Sequence, residues 1–317
     1  MRVLIVLAVT VALTACATAP PASPPAALLD TARRELAAGQ PRAALVLLEE
    51  LLARAGADAD AEALREEAMH CRAVCLARAG DHGAALAAFE TFVEAYPLSP
   101  RSVETEVFEL GVALIEGAGS GFLGIPRALG LRVSGPEVLR FLIRINPRGE
   151  HASDARRILA QDAFDRRDFE LARLEYEALI EDHPGSIWQG LAEFRIALCR
   201  LRHSRGAAYD RKLLEDALKG FRDYEQRHPG GDHADRARRH AQEIGDLLAE
   251  KNYRIADFYL ADKRVDASVF YHRLTLQEYP ETDWARRSAE SLAQIARGYP
   301  DTAAARAART SLEQIGR

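Results

Sequence analysis

The sequence lacks a charge excess of either sign. Its 317 residues carry 42 basic and 47 acidic side chains, which leaves a formal net charge of −5. Without a strong basic field, nucleic acid is not an expected partner. The sequence also lacks sustained alternation of apolar and polar residues between turn signals, and alanine is abundant. Both features favour helix over sheet.

Motifs of the common enzyme classes are absent as well. There is no nucleophile elbow, no HExxH and no pair of acids in a cleft-like context. The glycine-rich stretch Gly117–Gly135 is not followed by Gly-Lys-Ser/Thr and is not preceded by a strand pattern. We therefore predict no catalytic residue, no cofactor and no metal site, and we expect the chain to act by binding other proteins.

The amino terminus begins with one arginine and an apolar run that is too short for a stable membrane span. It has the layout of a secretory signal. The run ends in Leu13-Thr14-Ala15-Cys16, which looks like the lipobox of bacterial lipoproteins, where the cysteine is lipidated and becomes the new amino terminus. We predict a signal peptide over residues 1–15 and a lipid on Cys16. The alternative is an ordinary signal cut near Ala15–Ala19.

The next residues form a candidate spacer. Residues 16–25 contain four prolines and no apolar periodicity, which indicates a semi-rigid linker between a lipid and a folded body. By resemblance to lipoprotein sorting in bacteria with two membranes, Ala17 after the cysteine permits export to the outer membrane.

A three-residue pattern recurs through the body of the chain. A small residue is followed four positions later by an aromatic residue, and a proline closes the helix eight positions after that. A small residue lets two helices approach, and the ring one turn later fills the gap to the next pair. The three sets in this frame are Ala85, Phe89 and Pro97, then Ala172, Tyr176 and Pro184, then Ala217, Phe221 and Pro229. Gly135, Leu139 and Pro147 keep the frame with weaker residue types, and Ala267, Tyr271 and Pro280 have one residue more before the proline.

Recurrence of one helical unit is typical of stacked-repeat proteins. We count about six helix pairs of roughly 34 residues or more, which matches the tetratricopeptide pattern. The predicted fold is all-α, a right-handed superhelical stack of tetratricopeptide-like helix hairpins over residues 26–317, with a concave wall for partners. An insertion at residues 117–135 interrupts the third pair.

That insertion carries apolar and cationic residues among its glycines. The apolar residues include Phe122, Leu123 and Ile125, and Arg127 and Arg132 lie among them. One interpretation is an interfacial finger that touches lipid headgroups or a partner protein. The other is a loop folded back over a neighbouring repeat.

Other clusters admit both a functional and a packing interpretation. Cys71 and Cys75 lie four apart on one helix face, and they supply only half of a tetrahedral metal site. The packing interpretation makes them, and the lone Cys199, small core residues. In an oxidising compartment they could pair only if the fold brings two together.

The turn 228–233 and two arginine runs raise the same question. His228, Asp232 and His233 could bind a metal, or they could be turn residues with Asp232 as an N-cap. The runs 236–239 and 286–287 could be solvated helix faces or a docking site for an acidic partner.

The carboxyl half resembles a known family. The segments that carry the resemblance are 208–210, 217–224, His228-Pro229, Leu248–Lys251, Tyr253–Tyr259 and Tyr279–Thr282. Together with the lipobox and spacer, they are similar to the BamD-like outer-membrane assembly lipoproteins, over residues 16 to about 300 and only weakly before Glu150.

The resemblance implies a lipid-anchored periplasmic scaffold of the outer membrane, with no enzymatic activity. Its expected partners are a barrel-forming insertase and unfolded barrel precursors, and the expected docking region is Trp188–Tyr279. The alternative function is a general cell-envelope scaffold that tethers a peptidoglycan- or division-related partner.

Overall fold

The computed structural model describes residues 24–54, 59–119, 133–207 and 210–315, and within these residues every regular element is an α-helix. The predicted all-α architecture of consecutive helix hairpins is confirmed. The helices are α1 (Pro25–Ala37), α2 (Pro41–Arg54), α3 (Ala59–Ala79), α4 (His82–Ala95), α5 (Glu104–Gly119), α6 (Gly135–Ile145), α7 (Ala152–Asp165), α8 (Phe169–Asp182), α9 (Gln189–His203), α10 (Arg211–Arg227), α11 (Ala234–Ala261), α12 (Val265–Glu278), α13 (Asp283–Gly298) and α14 (Ala303–Ile315).

The helices belong to two compact units, an amino-terminal one up to Val103 and a carboxyl-terminal one from Glu104 onward. The first unit contains α1 to α4, and the second contains α5 to α14. Within each unit, helices that follow one another in sequence pack together. In the second unit, α5 also contacts α7, α11 contacts α13, and α12 contacts α14. Within each unit, successive hairpins therefore share their apolar faces, as expected of stacked repeats.

Four hairpin turns end their first helix in the same way. In the turn between α3 and α4, Gly80 has φ 83°, and the amides of Gly80 and Asp81 donate to the carbonyls of Ala77 and Leu76. This pair of bonds is the Schellman motif, in which one residue adopts the left-handed conformation. The same position is held by Gly39, Arg167 and Lys263, with φ of 74°, 63° and 61°.

Six helices end just before a proline, and their ends share one backbone geometry. Each C-cap residue has φ between −143° and −129°, outside the helical region, as the following proline requires. The amide three residues later donates to the carbonyl of the cap, which closes the turn. The caps are Tyr96, Asn146, His183, His228, Tyr279 and Tyr299.

The positions twelve and eight residues before each of these prolines lie in the core. The residues predicted to pack the repeats, Ala85, Phe89, Ala172, Tyr176, Ala217 and Phe221, are each 0% exposed. Leu139 and Leu292 fill the ring position in two further pairs and are also fully buried. The distance in sequence to the proline thus identifies which positions of the helix face the core, whichever residue types occupy them.

Tyr271 is the exception: it was predicted to pack the repeats, but it lies outside the buried register. Counting back from Pro280, the register falls on Ser268 and His272, and both are fully buried. Tyr271 is one residue out of register, which turns its ring about 100° around the helix axis. It is only partly buried, and it stacks on Tyr259 with ring centroids 5.7 Å apart.

The bounds predicted for the insertion, residues 117–135, overlap the observed helices at both ends. Helix α5 continues through Gly119, and α6 begins at Gly135. The amide of Ser134 donates to Glu137 Oε2 at 3.2 Å, a reciprocal contact that fixes the start of α6. Phe122, Leu123 and Ile125 lie outside the described residues.

Candidate functional site: a groove beside helix α11

Helix α11 is the longest helix described, and polar contacts fix its central part. Arg211 Nη1, at the start of α10, donates to Asn252 Oδ1 at 2.7 Å. Asn252 is fully buried, so this charge-assisted hydrogen bond takes the place of the one that its side-chain carbonyl would form with water in the unfolded chain. The adjacent residue, Lys251, donates from Nζ to the carbonyl of Ala207 in the loop after α9. These bonds hold the loop and α10 against the long helix.

The surface next to these anchors is a groove of about 640 Å³. Its apolar wall comes from the outer face of α11 and from one ring of α12. The lining side chains are Leu247, Ile255, Phe258, Tyr259 and Tyr271. Their neighbours on the opposite side of the same helix, Leu248, Ala249 and Ala256, belong to the core. Helix α11 is therefore apolar on two faces, and only one of them is covered by the described residues.

Aromatic rings continue from the groove onto the open surface. Phe258 is 67% exposed and Phe270 is 59% exposed, which is high for phenylalanine. Phe258 lies 5.7 Å from Tyr259, and Phe270 lies 5.3 Å from Tyr271. We call these four rings the aromatic cluster. Arg264 covers Tyr259 from above at 4.7 Å.

The rim of the groove carries charge of both signs. Glu250, Lys251 and Arg254 line it, and Arg254 Nη2 donates to Glu250 Oε1 at 2.6 Å. An apolar wall with a few polar groups at its edge is typical of sites that bind side chains of a partner protein.

The three internal cysteines are free thiols. Cys71 and Cys75 both lie on α3, where Cys75 packs in the core of the first unit with Cys71 against it. Cys199 belongs to a separate core cluster in the second unit. Burial raises the pKa of Cys75 to about 11 and that of Cys199 to about 12. Thiols held protonated in this way are poor metal ligands and nucleophiles.

The histidines of the turn 228–233 contact different neighbours. His228 Nε2 lies 2.8 Å from Glu193 Oε2, whereas the ring of His233 packs at 4.6 Å on Phe194. Asp232 was expected to cap α11, but the cap residue is His233 and no side chain bonds to the cap. In the described part of the chain, no group of three or more His, Cys, Asp or Glu side chains could hold a metal ion.

The predicted signal peptide, lipidated cysteine and spacer all lie at the amino terminus. Cys16 and the spacer up to residue 23 lie outside the described residues. Of the helices that are described, none is both long enough and apolar enough to span a bilayer.

The chain matches two family models. One, described as the YfiO outer membrane lipoprotein family, covers residues 137–310, which is more than half of the chain. The other is a tetratricopeptide repeat and covers residues 67–99, which include most of α3 and all of α4. The chain belongs to the YfiO family of outer membrane lipoproteins. Both models describe non-catalytic scaffold or adaptor families, and YfiO is the BamD family.

Membership in the YfiO family confirms the resemblance at the level of an outer membrane lipoprotein with tetratricopeptide repeats. The match lies in the part where the sequence motifs are strongest. No curated protein matches the chain significantly. Among solved structures, the "MamA RS-1 ArsTM double mutant" is similar over 64% of this chain and 97% of its own, with 14% identity and a TM-score of 0.33.

The groove lies within the part of the chain matched by the YfiO model. Several of its lining residues belong to the sequence motifs, but the motifs alone did not predict a groove. The segments Leu248–Lys251 and Tyr253–Tyr259 were noted only for their resemblance. In the structure they contribute alternately to the core and to the groove. Phe270 was not singled out from the sequence; its signal is the adjacent pair Phe270-Tyr271, of which only one ring can face inward on a helix.

Proposed function

We propose that this protein is a lipid-anchored periplasmic scaffold that helps to assemble β-barrel proteins in the outer membrane. The observation that carries the proposal is the groove beside α11 with its exposed aromatic cluster, in the part of the chain that matches the YfiO family. Scaffolds of this kind act through surfaces, and this surface has apolar rings with no cover among the described residues. The docked partner is the barrel-forming insertase.

The physical basis of docking is the burial of these rings. Buried aromatic side chains with a polar rim are the usual energetic centres of protein interfaces. Burying a phenylalanine side chain contributes about 1.5–3 kcal/mol. The stacked pair Tyr259 and Tyr271 is already ordered by mutual contact, so little conformational freedom is lost when a partner covers it.

The anchor is the second part of the proposal. A lipid on Cys16 would hold the protein to the membrane, and the prolines up to Pro25 would separate the folded units from the surface. The scaffold would then act on the periplasmic face of the outer membrane.

A pull-down from detergent-solubilised envelopes tests the docking surface. The tagged parent protein should enrich a large barrel protein with periplasmic repeats. Phe258→Ala should reduce that enrichment about tenfold or more, because it removes one central ring. The matched control is Ile187→Ala, which removes an 86% exposed side chain that does not line the groove.

Two outcomes contradict the proposal. Equal loss with Ile187→Ala would mean that the groove is not the docking surface. Recovery of a wall-associated partner, with no barrel protein, would favour the general cell-envelope scaffold. Circular dichroism of both variants checks that the helices are intact.

A further inference from the structure

The arginine run at the start of α11 contains two kinds of arginine. Arg238 Nε pairs with Glu225 Oε1 at 2.8 Å and Arg238 Nη1 with Asp235 Oδ1 at 3.3 Å. Arg236 instead lies over the ring of Phe194, with its guanidinium carbon 4.9 Å from the ring centroid. Of the carboxylates in the described residues, none lies within 4 Å of Arg236. Arg238 is therefore engaged in ion pairs on the protein surface. Arg236 is engaged only through its ring face, so its N–H groups can still donate to a carboxylate of another molecule.

Two more arginines on preceding helices have the same arrangement. Arg157 on α7 lies 4.5 Å over Trp188, and Arg195 on α9 lies 4.7 Å over Phe164. Neither forms an ion pair with a described carboxylate, and the Nε atom of each is buried without a hydrogen-bond partner. The adjacent Arg156 also has a buried Nε without a partner, but its terminal nitrogens pair with Glu175 and Asp182.

These three arginines are neighbours across consecutive first helices. The ring under Arg195 belongs to α7, and the ring under Arg236 belongs to α9. Burial raises the pKa of Tyr176 to about 12, and the fields of Arg195 and Arg157 both oppose that rise. Burial also lowers the pKa of His233, with Arg236 and Arg195 acting in the same direction. The stacking contacts thus join α7 to α9 and α9 to α11, and we call the three guanidinium groups the arginine row.

A guanidinium stacked on an aromatic ring is already oriented for binding. Its edge presents several N–H donors in a plane, which matches the two oxygens of a carboxylate. Stacking also removes part of the water around the cation without neutralising it. Asp165, an acidic group that also acts on Tyr176, accepts a hydrogen bond from Gln161 Nε2 at 2.8 Å. Arg236 is exposed and the other two arginines are partly buried, so the row is a cationic and ordered surface that is most accessible at Arg236.

We propose that Arg157, Arg195 and Arg236 form a docking row for an acidic linear segment of a partner protein. The row lies on α7, α9 and α11, apart from the residues that line the groove, so the inference goes beyond the insertase docking proposed above. An extended segment of about ten residues is about 33 Å long, which is enough to follow three guanidinium groups on successive first helices. Carboxylates on that segment would pair with successive guanidinium groups.

Peptide binding to the lipidated full-length protein in neutral detergent tests the row. The probe is a fluorescent peptide of alternating glutamate and serine, about ten residues long so that it can follow all three guanidinium groups. The control peptide has glutamine in place of glutamate. Fluorescence anisotropy should detect binding of the glutamate peptide only, with an affinity that falls as sodium chloride is raised.

Variants identify the side chains responsible. Arg195→Gln and Arg236→Gln should each weaken binding by about tenfold or more, because each removes a charge-assisted, two-point contact. The matched control is Arg238→Gln, two residues from Arg236 and already paired, which should bind as the parent does. Arg236 is exposed, so its variant keeps the test valid even if Arg195→Gln impairs folding.

Three results would overturn the inference. They are no binding of the glutamate peptide to the parent, equal binding of both peptides, and equal weakening by Arg236→Gln and Arg238→Gln. Phe258→Ala separates this site from the groove: it should leave peptide binding unchanged, whatever it does to capture of the insertase.

Discussion

Two hairpin turns hold a bulky residue in a backbone conformation that suits glycine. Arg167 and Lys263 have φ of 63° and 61°, in the same place where other turns carry Gly39 and Gly80. A side chain in the left-handed region brings Cβ close to the following carbonyl oxygen. The Schellman bonds of the turn are formed nonetheless, so the packing of the hairpin outweighs this local cost.

Lys263→Gly should therefore raise the free energy of unfolding, by about 0.5–1 kcal/mol. Urea denaturation monitored by circular dichroism measures the change. The matched control is Asp262→Gly, because Asp262 is also exposed but has φ −80°. Glycine there only adds freedom to the unfolded chain, so stability should fall. A gain in both variants would contradict the explanation.

His272 occupies the ring position of its helix pair as a buried imidazole. Its Nδ1 lies 3.2 Å from Ser288 Oγ, and its Nε2 has no hydrogen-bond partner among the described residues. Tyr253 packs against it edge-on at 5.2 Å. Burial lowers the pKa of His272 to about 4 from an ordinary value of 6.5, because the charged form loses its water.

The unfolded chain then binds a proton more readily than the folded one between these two pH values. Stability from the neutral ring is complete above pH 6.5 and is lost as the pH falls toward 4, by on the order of 3 kcal/mol. His272→Phe, which mimics Phe221, should flatten the decline in melting temperature between pH 6.5 and 4.5. His203→Gln, at an exposed position, is the control. An unchanged slope in His272→Phe would contradict the assignment.

The misassignment of Tyr271 shows what residue types alone can predict. The proline spacing indicates the inward register correctly in all six helices that end before a proline. Ser268 and His272 are polar, so they do not look like buried packing residues, whereas Ala267 and Tyr271 do. Backbone periodicity, rather than residue identity, decides which side chain is buried.

At the scale of elements, helices α5 and α6 approach closely at two glycines. A Cβ on Gly135 would lie 2.4 Å from Ile115 Cγ1, 2.7 Å from the carbonyl oxygen of Gly111 and 2.8 Å from the Ile115 amide nitrogen. Backbone atoms cannot move aside as a flexible side chain can. The small residue at the frame position therefore sets the distance between the two helices.

Gly135→Ala should lower the free energy of unfolding by about 1–3 kcal/mol through overpacking. Gly117→Ala, on α5, is the control: its Cβ would meet no atom within 4 Å, and alanine there should add up to about 1 kcal/mol by helix propensity. The measurement is the denaturation midpoint of each variant. Equal stability of the two variants would show that the helices can separate at no cost.

Helix boundaries and turns follow closely from the sequence, because caps and prolines act locally. The predicted frame Ala172, Tyr176 and Pro184, for example, places the end of a helix before Pro184, and α8 ends at Asp182. The groove could not be predicted in the same way. The period of α11 indicates apolar residues on two faces, but which face is covered depends on where α10, α12 and α13 lie. That is a property of the packed unit and not of the helix.

At the scale of the whole molecule, the proposed function combines a lipid at the amino terminus with binding surfaces on the folded body. The lipobox Leu13-Thr14-Ala15-Cys16 precedes the folded units, and no described helix could replace a lipid as a membrane span. We propose that Cys16 is the sole attachment point. Anchoring and partner binding should then be separable by mutation.

Cys16→Ser should release the protein into the soluble periplasmic fraction while leaving its helical content unchanged. The serine hydroxyl is a far weaker nucleophile than a thiolate, so no thioether to lipid forms. Fractionation of the envelope followed by immunoblotting measures the change, and Cys71→Ser, which alters an internal cysteine of α3, is the matched control. The released protein should still bind the insertase in solution, because the groove belongs to the folded second unit. A Cys16→Ser variant that stays in the membrane fraction after a high-salt wash would mean that something other than lipid holds the protein there.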